Sequence, residues 1–491
     1  MKRTSKKRTN AATRQAKTQK KQAKLHKKYR QRQQRRAKAR STPRAITMKT
    51  TAKKGITAQA GLVPVMKYLD DVLQFREVAG EVVTFVRGAN AKYPLVDMVQ
   101  LVMVGVIGGA SSMLELVGVC ADIVLFTIEG WTTIPHNSVV GRIFRATRER
   151  HIAQLETLVH TLRPSAWAYA ARKNSKLTLP RRTMWIDCDS TEDQVYGHQE
   201  GAEKGYNTKK KGARSYHPLL AFCVATKEIL QGWFRCGSAY TSNGIVEFMK
   251  QLGAHLPSDV RLVFRGDSGF FVGALFDWLD ARGDGYLVKA KLYQNLKTCL
   301  LRQSWTPVKG HPGWEQCEFR YRCDTWTQER RFVAVRHAVD STASHAPMPV
   351  LQAWLPGLEL PVPEQLHDYF CYVTTEPLTP WAAHTRYGQR ATCETWIDEA
   401  KNQMGLGQIR TRDFLANAAL FQCAVLAYNV LRWMALCTSS EMLQRSEPKT
   451  IRRYVVRVAG IVTTGARGVI VTTAPNLFPD VWESWLAIVD L

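Results

Sequence analysis

The sequence predicts an α/β protein: a mixed-sheet core interrupted by a β-rich stretch and preceded by an all-helical region. Three observations carry that reading. Apolar residues recur at helical spacing from residue 57 to about 175. From residue 183 the period shortens toward two, and short apolar runs alternate with amphipathic ones. Near the end lies a 24-residue, nearly all-apolar stretch, residues 414–437, which reads as a buried helix.

With 491 residues, 45% apolar and 22% charged, the chain is long enough for about two to four domains around a large core. Its net charge of +28 is unevenly spread. Residues 1–55 hold 22 Lys and Arg and no acidic residue, Asp70 being the first, so the rest carries only about +6. Residues 1–56 are therefore expected to be a basic, disordered tail, with the 20–40 portion turning helical on a polyanion. Such a tail suits a DNA or RNA tether that ignores sequence and whose affinity falls steeply with salt, or else a solubility tail or an extension from an upstream start. Eleven cysteines with no Cys-x-x-Cys and no zinc-spaced His/Cys pairs point to free thiols in a reducing cytoplasm. No apolar segment closely follows the basic start, so no signal peptide is expected. The apolar run 95–126 is broken by Asp97, Glu115 and Asp122, which reads as core helices and not a membrane span.

Taken in order, residues 57–175 form the expected helical DNA-binding domain. Met66, Leu69, Val72 and Leu73 have amphipathic spacing, 94–108 is a second apolar helix, and Ser112-Met-Leu-Glu115 is a capping box. Asn137 or Ser138 is placed to cap a long helix to about Leu162. Its Arg142, Arg145 and Arg148 would line one face, for DNA or simply for solvent. Residues 176–292 are the first part of the core. A strand from Thr183 carries Asp187 and Asp189 near its C-terminal end, and strands at 219–225 and 229–236 follow. Ser242 is placed to cap a helix burying Ile245, Phe248, Met249 and Leu252. The strand 260–264 runs into Arg265-Gly-Asp267-Ser-Gly269, then come a helix over 270–282 and a strand over 286–290. Three strands, helix, strand, helix, strand is the order of a ribonuclease-H-like fold. Residues 293–384 are expected to be a β-rich insertion, with strands at 330–337, 349–354 and 368–375. Residues 385–440 complete the core with a polar helix over 387–401 and the buried apolar helix. The C-terminal segment 441–491 offers strands near 453–458 and 468–473.

Projected as one helix at ~100° per residue, Tyr387, Arg390, Glu394 and Lys401 share a stripe roughly 60° wide and ~21 Å long. A carboxylate between cations on one face suits a divalent metal held beside a phosphate chain, although ordinary charge pairing on a solvated face gives the same stripe. In the ribonuclease-H-like order the strands carrying Asp189 and Asp267 are adjacent, and this helix lays Glu394 across the same edge. Three carboxylates around one or two Mg²⁺ suit in-line displacement at phosphorus. Periodicity does not choose between Asp187 and Asp189, which share a strand face. Asp267 also fits a turn or cap, and Asp398 lies one turn beyond Glu394 as a rival.

The spacing Tyr-x2-Arg-x3-Glu-x6-Lys resembles the signature of bacterial insertion-sequence DDE transposases. From about 183 to 475 the chain is similar to those of the IS-thirteen-eighty kind, related to the IS-four group. The stretches that carry the resemblance are Asp187-Cys-Asp-Ser-Thr191, Gly197-His-Gln-Glu-Gly-Ala202, Ser215 to Phe222, Arg265-Gly-Asp-Ser-Gly-Phe270, and Tyr387 to Lys401. The resemblance implies a metal-binding, catalytic triad of Asp189, Asp267 and Glu394, with the Asp-Ser-Thr order selecting Asp189 over Asp187. It implies that Tyr387, Arg390 and Lys401 grip DNA phosphates, that Mg²⁺ or Mn²⁺ occupies a two-metal site, and that the insertion contacts DNA near the cut. It further implies double-stranded DNA as partner, both inverted-repeat ends and target, a homodimer on DNA, and a bacterial cytoplasmic location. Trp305, Trp314, Trp326 and Trp354 are candidates for base contact, and the Lys209–Lys211 cluster with Arg214 for DNA beside the site. Two other functions share these features: a ribonuclease-H-fold nuclease that cuts without joining, and a non-catalytic DNA-binding protein.

Overall fold

The computed structural model describes residues 24, 27–35, 54–86, 91–125, 133–180, 182–205, 212–338, 367–466 and 468–491. Most of the basic tail, the Lys209–Lys211 cluster, the expected strand at 349–354 and Trp354 lie outside the described residues. Residues 1–54 form one unit, in which 27–35 are helical and exposed; residues 55–491 form a second.

The second unit opens with β1 (Ile56–Thr57), α1 (Leu62–Lys67), which continues as a π-helical turn to Val72, and α2 (Phe75–Val82). α3 (Leu95–Gly108) is followed by α4 (Met113–Cys120), where Ser112 Oγ accepts from the Glu115 amide at 3.2 Å. The Glu115 carboxylate reaches the Ser111 amide and not that of Ser112, so only one arm of the expected capping box forms.

The single long helix expected after residue 137 is two helices, α5 (Asn137–Arg145) and α6 (Glu149–Lys173). Side-chain capping makes the break. The His136 ring, not Asn137 or Ser138, caps α5 by accepting from the Ser138 amide. Thr147 turns its hydroxyl back onto the Phe144 carbonyl, and His151 Nδ1 accepts from the Arg148 amide at 2.8 Å, starting a new helix. Arg142 and Arg145 are exposed on α5, whereas Arg148 is the N-cap of α6, so the three do not form one helical stripe.

Among the described residues the central sheet has nine strands. The chain enters it at β2 (Thr183–Ser190), then forms a small separate sheet of β3 (Asp193–Gln194), β4 (Glu203–Lys204) and β5 (Arg214–Tyr216). β6 (Leu219–Cys223) and β7 (Ile229–Trp233) run antiparallel on one side of β2. β8 (Arg261–Gly266) and β9 (Gly285–Lys289) run parallel to it on the other. This is the order and sense expected of a ribonuclease-H-like core, and the large mixed sheet is consistent with one. β10 (Thr306–Pro307), β11 (Trp314–Tyr321), β12 (Arg330–Ala338) and β13 (His367–Thr374) continue the same sheet, because β13 pairs with β9. The strands of the expected insertion are thus joined edge to edge with the core. β11 was not legible, its apolar alternation being masked by Glu315, Glu318 and Arg320, which pair across the sheet surface with β12 and its flanking turn.

Alternation along the strands divides the core. Met184, Ile186 and Cys188 face α7 (Ile245–Ala254) and α8 (Gly273–Ala281). Gly244, at φ +74°, caps α7 in place of Ser242, a left-handed conformation that favours glycine. On the other face Leu220, Phe222 and Ile229 join one hydrophobic cluster with the helices from α1 to α6 and with α12 (Phe414–Cys437). α12 is long and apolar enough to cross a membrane, yet 89% of its apolar window is buried inside the protein. Its polar residues act as fasteners. Asn429, fully buried, bonds both the amide and the carbonyl of Ile229 at 2.8 Å. Asn429→Ala leaves two buried backbone groups unpaired, and a loss of about 2–3 kcal/mol is expected by denaturant titration. Glu228, also buried, accepts from Trp433 Nε1 at 2.6 Å, Trp167 Nε1 at 2.7 Å and Arg163 Nε at 3.2 Å, locking α6 and α12 to the β6–β7 turn.

The strand expected at 453–458 is instead a π-helical turn, Arg452–Val456. Arg452 is buried there and donates to the carbonyls of Ile107, Val106 and Gln403, which fixes the turn against α3. The strand begins later, as β14 (Gly460–Gly465), and pairs with β1 and β15 (Gly468–Thr473).

Candidate active site

β2 and β8 are parallel and in register, Asp187 opposite Arg265, so the chain leaves both strands at the same edge of the sheet. Asp189 stands two residues on along β2, and Asp267 is the first residue past β8. Asp267 caps the short turn Ser268–Phe270, its Oδ1 accepting from the Gly269 amide at 2.9 Å. Asp189 Oδ1 accepts from the Ser190 amide at 2.9 Å, and its Oδ2 lies 2.8 Å from Arg390 Nη2. Burial pushes the Asp189 carboxyl up to about 6; Arg390 pulls it down and the Asp267 charge pushes it up again. The two carboxylates therefore feel each other, as the strand order requires.

The structure separates the two aspartates that periodicity left equivalent. Asp187 is fully buried, and both its oxygens are held by Arg265, at 2.6 Å from Nε and 2.7 Å from Nη2. It is one half of a buried ion pair with no oxygen facing solvent. Asp189 keeps part of its surface open beside Asp267.

Arg265 also reshapes the signature segment, which is not one helix. α10 (Pro380–Gly388) ends, α11 (Ala391–Asp398) begins, and a π-helical turn, Glu399–Gln403, follows. Arg265 Nη1 donates to the Arg386 carbonyl, the acceptor that would continue α10. The Arg390 amide bonds the Tyr387 carbonyl at 2.8 Å instead, tightening the turn and breaking the helix at Gln389–Arg390. The projected stripe does not extend across that break.

The break sets Tyr387 apart from Arg390, and the π-helical turn sets Lys401 apart from Arg390 and Glu394. Arg390 is buried, paired with Asp189, and its Nη1 lies 3.9 Å from Glu394 Oε1. Burial works against its charge, but Asp189 holds it more firmly protonated than usual. Glu394 projects outward, its side chain 71% exposed. Tyr387 packs on Tyr372, ring centres 4.7 Å apart, and its hydroxyl is pushed up to about 12, first by burial and then by the Asp267 and Asp189 charges against the pull of Arg390. Lys401 is placed differently. Its Nζ donates to Thr191 Oγ1 at 2.9 Å and to the Glu192 carbonyl, and lies 3.1 Å from buried Asp193 Oδ1. It braces the segment just after Asp189 and here presents no free ammonium to a phosphate. Asp398 is exposed and accepts from Asn402 at 2.6 Å.

Sequence reasoning missed Arg265, Asp193 and the Ser190–Thr241 hydroxyl contact of 2.9 Å. Arg265 had a signal: a charge ending an apolar strand needs a buried partner. Trp326 is a core residue, Trp314 packs with Trp381 and His384, and Trp305 lies under Arg336 at 4.6 Å. Arg214 is exposed and donates to the Ala202 carbonyl.

The three carboxylates are hard oxygen donors of the kind Mg²⁺ and Mn²⁺ take, and the mutual repulsion of Asp189 and Asp267 would be relieved by a cation. Among the described residues no three His, Cys, Asp or Glu already stand in a ligating group. The donor set fits by chemistry, with the Arg390 guanidinium now standing between Asp189 and Glu394. Because the folded chain binds the Asp189 proton more tightly than the ordinary carboxyl value of 3.8, Asp189 disfavours the folded state above about pH 6, and that cost fades as pH falls. Cation affinity is expected to run the other way, rising with pH to about 6 and then levelling. Calorimetric Mn²⁺ titrations at pH 5, 6 and 7 check this, and Asp189→Asn should flatten the profile.

A family model described as the transposase DDE domain, group 1, matches residues 38–480. Among solved structures, a cryo-EM structure of a piggyBac transposase synaptic complex with hairpin DNA is similar at TM-score 0.38 and 12% identity, over 82% of this chain and 82% of that one. No curated protein matches the chain.

Proposed function

The chain belongs to the transposase DDE domain family, group 1, and from that premise we propose that it is a DNA transposase of an insertion sequence, of the IS-thirteen-eighty kind related to the IS-four group. It binds the inverted-repeat ends of its element, hydrolyses them, and joins the freed 3′-hydroxyls to target DNA. The observation that carries the reading is the Asp189–Asp267 pair, set at one sheet edge with Arg390 bonded to Asp189 and reaching Glu394.

Asp189, Asp267 and Glu394 would hold the divalent cations, Mg²⁺ or Mn²⁺, which when bound activate the attacking oxygen and stabilise the leaving one. The chain's own part is positioning. Arg390 balances the carboxylates and offers a cation to a phosphate oxygen, and Tyr387 presents a hydroxyl that stays protonated at neutral pH. Lys401 fixes the loop that aims Asp189, and a shift of that loop would free its ammonium for DNA. The helical region 57–175 and the basic tail supply further DNA contacts, and the β-rich stretch 293–384 lies near the cut. Cutting and joining two ends together calls for a homodimer on DNA, working in the bacterial cytoplasm and nucleoid.

The test is a cleavage and strand-transfer assay on DNA carrying the sequences that flank the gene, with Mg²⁺ or Mn²⁺. Cleavage at the repeats and joined products are expected from wild type, and neither from Asp267→Asn or Glu394→Gln. Cutting without joining under every metal would make the protein a nuclease. Tight binding with no cutting would make it a DNA-binding protein and end the catalytic reading.

A further inference from the structure

On the far side of the α10–α11 break from the carboxylates lies a groove of about 590 Å³. Thr178, Arg182, Thr183, Trp185 and Arg386 contribute to its lining. Thr183 and Trp185 belong to β2 and alternate onto the same face as Asp187 and Asp189. Trp185 is four residues from Asp189, about 13 Å along the strand, or roughly four steps of DNA at 3.4 Å each.

The charges in this groove do not balance. The Arg386 guanidinium lies over the Trp185 indole at 4.2 Å, and its Nη1 donates to Gln389 Oε1 at 2.9 Å. The two carboxylates that act on it are both taken, Asp187 by Arg265 and Glu376 by Arg261. Arg386 is therefore a half-buried cation with no carboxylate of its own among the described residues. Burial first, and then Arg265, push its pKa down. Arg182 adds a second, exposed cation at the rim. Two guanidinium groups, one of them seated on the Trp185 indole, and two threonine hydroxyls are donors that together suit one partner, an anion with several acceptor oxygens.

We propose that this groove is a second phosphate-binding subsite, which takes a backbone phosphate of a DNA strand whose scissile phosphate lies at Asp189 and Asp267. The break that turns Arg390 toward the carboxylates leaves Arg386 on the groove, so one irregularity in the backbone serves two phosphates. The identity of the strand rests on the function proposed above; the subsite itself does not depend on catalysis.

The experiment measures DNA binding by the full chain in EDTA across a series of salt concentrations, for wild type, Arg182→Gln, Arg386→Gln and Arg386→Lys, with thermal melting as a control on folding. Each Gln variant should lower the slope of log affinity against log salt by about 0.9, weakening repeat and unrelated sequences alike. Arg386→Lys should keep the slope. Replacing the contacted phosphate by an uncharged methylphosphonate should remove the effect of the Gln variants. Unchanged slopes in both Gln variants, the exposed Arg182→Gln included, would overturn the subsite. Inorganic phosphate that stabilises wild type but not Arg386→Gln, with DNA binding unchanged, would make it a free-anion site and overturn the DNA assignment. Wild type that binds with the full slope but never cuts would overturn the transposase reading and leave the subsite standing.

Discussion

Asp189→Asn is expected to reduce DNA cleavage on the order of 10³-fold or more while leaving DNA binding nearly intact. The magnitude follows from the proposed mechanism, in which the substitution removes one of the anionic oxygen donors that would hold the cations. Several kcal/mol of transition-state stabilisation correspond to about three decades in rate. Binding should survive because the affinity for DNA comes from cations, and the substitution removes an anion beside Arg390. Single-turnover cleavage and filter binding on the same preparation separate the two. Cleavage within tenfold of wild type would remove Asp189 from the catalytic set.

The aspartate two residues earlier should behave in the opposite way. Asp187→Ala leaves the Arg265 guanidinium charged at a position with no exposure, and a loss of about 3–5 kcal/mol of stability is expected. The reason is the stranded charge and not the worth of the pair itself. Replacing both partners with apolar residues, Asp187→Leu with Arg265→Met, should recover most of the loss. Arg265 also holds the Arg386 carbonyl, so the double variant should let α10 run on through residue 390 and draw Arg390 away from Asp189. It is therefore expected to be a stable protein with impaired cleavage. Denaturant titration with a cleavage assay on both variants tests this; equal stability of Asp187→Ala and wild type would contradict the buried-pair account.

These contrasts show where sequence reasoning stopped. β2, β6, β7, β8 and β9 were legible because apolar alternation and flanking turn residues mark them, and their order brings Asp189 to Asp267. α12 was legible in full because a 24-residue apolar run has one soluble solution, burial. The family spacing likewise stood in the residues themselves. The errors fell where a side chain, near or distant in sequence, captured a backbone group. His136, Thr147 and His151 split one expected helix into two, and Arg452 turned an apolar strand pattern into a helical turn. Composition does not report such captures, because each joins a side chain to a backbone atom through local or tertiary geometry.

What the sequence determined by itself was the periodicity of the core, the placement of two carboxylates at strand ends, and the signature that selects the family. The resemblance chose Asp189 over Asp187, but only the tertiary structure shows the physical difference: Arg265, arriving from the neighbouring strand, takes both oxygens of buried Asp187, while Asp189 stays partly exposed beside Arg390. It also decided that Arg390 sits with the carboxylates while Lys401 braces the loop beyond them: Arg265 breaks the helix between Tyr387 and Arg390, and the π-helical turn Glu399–Gln403 shifts Lys401 off the projected stripe. A helical projection assumes an uninterrupted backbone hydrogen-bond ladder. Here one buried guanidinium takes a rung from that ladder.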